Sequence, residues 1–285
     1  MSPFVQVPVL AVFWVSELST RTTDLPTGTP SSARDFVATG DFDHDGYEDA
    51  ALTFRTAGGA TPLVVLHGSA TGLRTDAPAV LDGAGGRALA SADLNGDGYA
   101  DLAVGRPDVG DGGEISTFHG SADGLITTGT PVVGRAAIPG GESGDRLGAS
   151  LAAGDTDGDG YEDVLAGAPG EDVGTASDAG AALLLHGGPD GLTATGAEVY
   201  DTDLAGVPGA AETDDRLGSA VALADLTGDG RPDLALGADG ENAGDGTVLT
   251  LNGGPDGVAP ESGAYYGPTA LGTSAAAGIG GVLAK

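Results

Sequence analysis

The sequence predicts an all-β fold, a β-propeller of four-stranded antiparallel blades, and three observations carry that reading. An acidic loop of the form D-x-[DNT]-x-D-G-x-x-D occurs four times, as DFDHDGYED from Asp41, DLNGDGYAD from Asp93, DTDGDGYED from Asp155 and DLTGDGRPD from Asp225. The copies start 52, 62 and 70 residues apart, longer than most solenoid repeats and close to one blade with variable loops. Each copy is flanked by the same short apolar runs, and no stretch sustains the apolar stripe of a helix.

Composition sets the limits. A chain of 285 residues is long enough to bury a substantial core. Its 53 glycines and 16 prolines approach a low-complexity composition, but a hydrophobic share of 40% and the regular repeats argue for a globular protein. The 42 acidic residues against 11 basic ones leave a net charge of −31, so nucleic acid and anionic membranes are poor partners. The absence of cysteine excludes disulfides, thiolate zinc sites and cysteine nucleophiles.

Residues 1–15 form an apolar segment interrupted by Pro8 and too short for a transmembrane helix, so no membrane insertion is expected. Without Lys or Arg in its first twelve residues it reads as a degenerate signal, or, through Val5, Val7 and Val9, as a strand that closes the ring. Residues 16–33, rich in Ser, Thr and Pro, read as a linker. The propeller occupies 34–285, with repeats at about 34–85, 86–146, 147–216 and 217–270 and a partial fifth at 271–285.

Within each repeat the strands follow in order. RALASA from Arg87, LGASLAAG from Leu147 and LGSAVALA from Leu217 read as first strands, leading into the acidic loop. AALTF from Ala50, LAVGRP from Leu102, VLAGAP from Val164 and LALGAD from Leu234 read as second strands, three of them stopped by Gly or Pro. LVVLHGSATGL from Leu63, ISTFHGSADGL from Ile115, ALLLHGGPDGL from Ala182 and VLTLNGGPDGV from Val248 read as third strands with a turn behind them. Less regular segments such as EVYDTDL from Glu198 supply the fourth. After repeat four, Leu271–Gly272 restarts the pattern and Gly281–Ala284 reads as a first strand, so the blades form an open or truncated ring unless the N-terminal segment completes it.

The loops have the chemistry of a hard-cation cage. Acidic or amide side chains at positions 1, 3, 5 and 9, a Gly at 6 and the carbonyl at 7 bring oxygens together, and calcium accepts six to eight such ligands in a flexible shell. Loop one offers Asp41, Asp43, Asp45, Tyr47 and Asp49; loop two Asp93, Asn95, Asp97, Tyr99 and Asp101. Loop three offers Asp155, Asp157, Asp159, Tyr161 and Asp163; loop four Asp225, Thr227, Asp229, Arg231 and Asp233. Up to four Ca2+ ions are expected, bound more weakly at loops two and four, where Asn95 and Thr227 replace a carboxylate. The spacing resembles the first half of an EF-hand, but no Glu stands at position 12 and the flanks are strands. The competing reading is four Asx-Gly turns that simply cap hairpins.

At these residues the sequence resembles the FG-GAP repeat family, the repeat of the integrin α-chain β-propeller and of many bacterial secreted proteins. Repeat three matches most fully, with Leu147–Gly148 in the place of the FG pair and Gly167-Ala168-Pro169 as the GAP. Repeats two, four and one depart, with Gly105-Arg106-Pro107, Gly237-Ala238-Asp239 and Phe54-Arg55-Thr56. The resemblance implies a calcium-binding extracellular propeller that acts as a non-catalytic binding or adhesion module for a protein or cell-surface ligand. It also implies an alternative, because the repeat accompanies phospholipase-like secreted hydrolases.

No enzyme chemistry is indicated. H-E-x-x-H, G-x-S-x-G and P-loop motifs are absent from the sequence. His67, His119 and His186 recur at one turn position, which argues for a structural role, and His44 lies at an uncoordinating position of loop one. A second recurrence, IPGGESGDRLG from Ile138 and VPGAAETDDRLG from Val207, has two readings. In one, Asp145/Arg146 and Asp215/Arg216 order the ring between blades. In the other, Glu142, Asp145, Glu212 and Asp215 join Glu171 and Glu241 in a ligand-facing rim.

Overall fold

The computed structural model describes residues 36–283 apart from 57–58, 256 and 275–276. The apolar segment 1–15 and the linker 16–33 lie outside the described residues. The described residues fold into four separate four-stranded antiparallel sheets, each a meander in sequence order. Blade one holds β1 (Phe36–Gly40), β2 (Asp49–Thr53), β3 (Leu63–Leu66) and β4 (Ala79–Leu81). Blade two holds β5 (Ala88–Ala92), β6 (Asp101–Arg106), β7 (Glu114–Phe118) and β8 (Val132–Gly134). Blade three holds β9 (Leu151–Gly154), β10 (Asp163–Ala168), β11 (Ala181–Leu185) and β12 (Glu198–Tyr200). Blade four holds β13 (Leu217–Ala224), β14 (Asp233–Ala238), β15 (Thr247–Asn252) and β16 (Ala259–Tyr266).

The second strands are apolar without alternation because both of their faces are covered. In β10 every residue is buried. Val164 and Ala166 pack with Ala103, Ile115 and Val133 of blade two, while Leu165 joins Leu234, Leu236 and Leu249 of blade four. The core therefore lies between blades, in layers made by the two faces of neighbouring sheets. Side chains of a strand point alternately to opposite faces, so one short run serves two layers.

The first strands are innermost. β1 packs on β5, β5 on β9 and β9 on β13. All four line a central cavity of about 460 Å³, joined by Leu283. Small residues such as Ala38, Ala90 and Ala152 allow the strands to converge there.

Glycines set how closely the blades approach. A Cβ on Gly105, Gly167 or Gly237 in the second strand would lie 2.1, 1.9 or 2.0 Å from the carbonyl oxygen of Gly148, Gly218 or Gly280 in the following repeat. The same contact recurs beyond blade four, between Gly237 and Gly280. Single parallel bridges join Gly113 to Leu147, Gly180 to Leu217 and Gly246 to Ile279. Ile279–Gly280 thus takes the place of the FG pair on blade four, rather than Leu271–Gly272, which ends a one-turn helix at Pro268–Leu271 with Gly272 as its left-handed cap. In blade one Thr53 stands where later blades have glycine, and its hydroxyl donates to the Gly86 carbonyl at 3.4 Å.

Candidate functional site

Each acidic loop is the hairpin connection between the first and second strands of its blade. The last residue of the first strand pairs with the position 9 aspartate, as in Gly40 with Asp49, Ala92 with Asp101, Gly154 with Asp163 and Ala224 with Asp233. Inside the loop the position 1 carboxylate gathers backbone amides. Asp41 accepts from Asp45 and Gly46 at 3.0 and 2.9 Å, and Asp93 accepts from Gly96, Asp97 and Gly98 at 2.8, 3.1 and 2.9 Å. Asp155 accepts from Gly158 and Gly160, and Asp225 from Gly228, Asp229 and Gly230. The position 5 carboxylates of Asp45, Asp97, Asp159 and Asp229 accept from the position 7 amides of Tyr47, Tyr99, Tyr161 and Arg231 at 2.9 to 3.0 Å.

These bonds hold the side chains on one side of the turn. Carboxylate oxygens of Asp41, Asp43 and Asp45 lie within 4.8 Å of one another, as do those of Asp155, Asp157 and Asp159. A divalent cation bridging three carboxylates fits that spread, and calcium tolerates the irregular shell that such a loop provides. In loop two the Asn95 amide instead donates to Asp97 at 3.0 Å. Position 6 needs glycine in each copy, with φ of 87, 86, 93 and 89° at Gly46, Gly98, Gly160 and Gly230.

The position 9 aspartates differ from the rest in being buried, at 0 or 1% exposure. Each joins its loop to the turn after the third strand. Asp49 accepts from Phe42 and Gly68, Asp101 from Leu94 and Gly120, Asp163 from Thr156 and Gly187, and Asp233 from Leu226, Thr227 and Gly253. The Thr156 hydroxyl also donates to Asp163. Burial raises the Asp49 and Asp101 carboxyls above the ordinary range. Burial works the same way on Asp163, but bonds from the His186 ring, Thr156 and Gly187 outweigh it and leave that carboxyl below its ordinary value.

The recurrent histidines belong to this network, which their repetition alone did not reveal. His119 Nδ1 lies 3.1 Å from Asp101 and His186 Nδ1 3.3 Å from Asp163. The Asp163 and Glu198 carboxylates on either side hold the His186 imidazole up at about 10. His67 Nδ1 lies 3.3 Å from Asp43 and 3.4 Å from Asp49.

The position 7 side chains, free of any ligand duty, reach the preceding loop. Tyr99 stands edge-on to His44 with ring centroids 5.6 Å apart. Tyr161 covers Gly96, and Arg231 covers Gly158. At position 8 the amides of Ala100 and Glu162 donate to the Asp41 and Asp93 carbonyls of the preceding loops at 3.2 and 3.1 Å. Loop four has Pro232 there, which carries no N–H.

The acidic rim is only partly a surface. Antiparallel order puts these segments, at the connections between blades and after the second strands, at the opposite end of the sheets from the acidic loops. Glu142 and Glu212 are exposed, but Asp145 is 2%, Asp215 3% and Glu171 9% exposed, so those three carboxyls lie beneath the surface. Asp145 and Glu171 both bind the buried Arg135, at 2.9 and 2.6 Å, and Arg216 binds Asp239 at 2.9 Å. The guanidinium was invisible to motif reading because Arg135 precedes the repeated IPG and VPG segments.

One blade later Leu204 stands where Arg135 would be, with the same turn bond: Val207 donates to the Leu204 carbonyl as Ile138 does to that of Arg135, both at 3.0 Å. Asp215 there meets Glu241, a half-buried carboxylate, rather than a cation. Burial, then the charges of Asp215 and Glu212, push the Glu241 carboxyl up to about 7. Burial likewise raises Asp215.

Comparison with known proteins agrees with this architecture. Residues 85–118, 147–185 and 217–251 match the family described as FG-GAP repeat. Integrin alpha pat-2 of Caenorhabditis briggsae is 33% identical over 219 residues, covering 71% of this chain and 17% of its own length. Integrin alpha-5 of Xenopus laevis is 30% identical over 235 residues, covering 77% of this chain and 20% of its own length. Phosphatidylinositol-glycan-specific phospholipase D of Bos taurus is 37% identical over 93 residues, 33% of this chain and 11% of that protein. The chain therefore spans a fifth or less of the length of these relatives. Among the described residues, no helix is long and apolar enough to cross a membrane.

Proposed function

The chain belongs to the FG-GAP repeat family, and on that footing we propose that it is an extracellular, non-catalytic binding module whose blades are held by calcium. The observation that carries the reading is the convergence of Asp41, Asp43 and Asp45, and of Asp155, Asp157 and Asp159, on loops whose position 9 aspartates tie them into the blade. Asp49 and Asp163, with the Tyr47 and Tyr161 carbonyls, complete the two stronger sites. Asp93, Asn95, Asp97, Tyr99 and Asp101, and Asp225, Thr227, Asp229, Arg231 and Asp233, form the two weaker ones.

Calcium in this scheme neutralises the loops at one end of the sheets and stiffens the opposite end, where exposed Glu142 and Glu212 meet a protein or cell-surface ligand. Asp145, Glu171 and Asp215 contribute by ordering those loops from below. Calcium-dependent retention on a surface carrying extracellular-matrix proteins tests the reading, with Glu142→Gln/Glu212→Gln expected to reduce it. Retention that ignores both calcium and the double substitution would reject it.

The phospholipase likeness favours a second reading, in which the repeats accompany a hydrolase. Among the described residues Asp145 and Glu171 form a buried carboxylate pair that shares the single guanidinium of Arg135. Turnover of a phosphodiester substrate, abolished by one point substitution, would establish this reading in place of the first.

A further inference from the structure

We propose that blade one carries a transition-metal site made by His67 Nδ1, Asp43 and Asp49, selective for a zinc-like divalent ion over calcium. This goes beyond the calcium reading of the loops: Asp43 and Asp49 are shared with the loop-one calcium set, so the two ions exclude each other on blade one, and the proposal does not depend on calcium binding at loops two, three and four. Three ligand atoms, one from each residue, lie within 4.8 Å of one another. The imidazole nitrogen is 3.3 and 3.4 Å from the two carboxylates. Donors on a tetrahedral zinc ion with bonds of about 2.0 to 2.1 Å stand about 3.3 Å apart.

The second observation is that His67 Nδ1 is buried and finds no hydrogen-bond partner among the described residues. Its distances to the carboxylates are short, but the ring does not point an N–H at either. A buried polar atom without a partner is costly, and a ring nitrogen set between two carboxylates gains a partner from a cation that all three ligate.

The other repeats show why the site is confined to blade one. At His119 the Asn95 amide nitrogen lies 3.3 Å from Nδ1, where the ion would stand, and the ring is bonded to Asp101. At His186 both ring nitrogens are taken, Nδ1 by Asp163 and Nε2 by Glu198 at 3.4 Å, and Asp157 is 3.9 Å away. Blade four has Asn252 in place of the histidine. Only the first blade combines a carboxylate at position 3 with an uncommitted imidazole.

Ligand chemistry sets the selectivity. Calcium takes oxygen donors, whereas imidazole suits zinc, cobalt and copper. Asp49 is already oriented, since its two oxygens accept from Phe42 at 3.2 Å and Gly68 at 2.7 Å, as carboxylate ligands commonly do. Two carboxylates and one imidazole leave one coordination position for water.

The test is titration of the 285-residue chain, freed of metal and held in millimolar calcium, with Co2+ as a visible probe and Zn2+ as competitor. One equivalent of Co2+ should develop d–d absorption that Zn2+ removes, and His67→Gln should weaken that binding at least tenfold. His44→Gln, His119→Gln and His186→Gln should leave it unchanged. Equal weakening in any of those three, or none in His67→Gln, overturns the proposal. Should His67→Gln fail to fold, X-ray absorption at the zinc edge of the unmodified chain decides, with one imidazole in the shell expected and an oxygen-only shell fatal. Calcium-dependent melting of the His67→Gln chain separates this site from the loops: its persistence beside lost Co2+ binding is the expected pattern.

Discussion

Glu162 and Asp93 clasp each other across two blades. The Glu162 carboxylate accepts from the Asp93 amide at 2.7 Å while the Glu162 amide donates to the Asp93 carbonyl at 3.1 Å. Position 8 of loop three is thereby locked to position 1 of loop two, so the orientation of one acidic loop depends on its neighbour. Glu162→Ala should cost about 1 to 3 kcal/mol, the range for a partly buried bond to a charged group. Urea denaturation measures it, with Glu48→Ala, exposed at the same position of loop one, as a control expected within about 0.5 kcal/mol of the parent.

Calcium should raise the melting temperature and EDTA lower it. One site at tenfold over its Kd adds about 1.4 kcal/mol. Asp159→Ala should lose more of the calcium-dependent rise than Thr227→Ala, because it removes a carboxylate from a cluster of three. Differential scanning calorimetry with and without calcium checks the order, and equal losses would contradict it.

The carboxylate pair at the blade three to four junction should make stability fall with pH. Burial and the neighbouring acids raise Glu241 from an ordinary 4.5 to about 7, so the folded chain holds that proton more tightly than the unfolded one. Its contribution is full below pH 4.5 and is lost as pH rises through 7. In EDTA, Glu241→Gln should flatten this part of the pH profile and stabilise the protein at pH 8. A profile that keeps its slope in the variant would refute the assignment.

Glycines that look alike in sequence should respond differently. Gly167→Ala drives a methyl group into the Gly218 carbonyl and should cost about 3 kcal/mol or more, since backbone of two blades must separate. Gly160→Ala meets open space but keeps a φ of 93°, at a cost of about 1 to 2 kcal/mol. Gly188→Ala, with neither constraint, should lie within about 0.5 kcal/mol of the parent. Chemical denaturation of the three variants gives the ranking.

The sequence by itself determined the blades and the loops. Runs such as DVLAGA and AALLL, separated by Gly-rich turns, form strands as short apolar runs bounded by turn chemistry, and all four acidic hairpins stand where the spacing puts them. The nine-residue loop is legible because its carboxylates act on amides two to five residues away. Tertiary structure alone decided which acids stay exposed and what they meet. Arg135 reaches Glu171 36 residues along the chain, and Leu204 in the matching place leaves Asp215 with Glu241. The same holds for His67, whose environment differs from those of His119 and His186 although all three share one repeat position. Hairpin geometry follows from neighbours in sequence, whereas burial and pairing of charge depend on how sheets dock, and docking brings together residues that no local pattern relates.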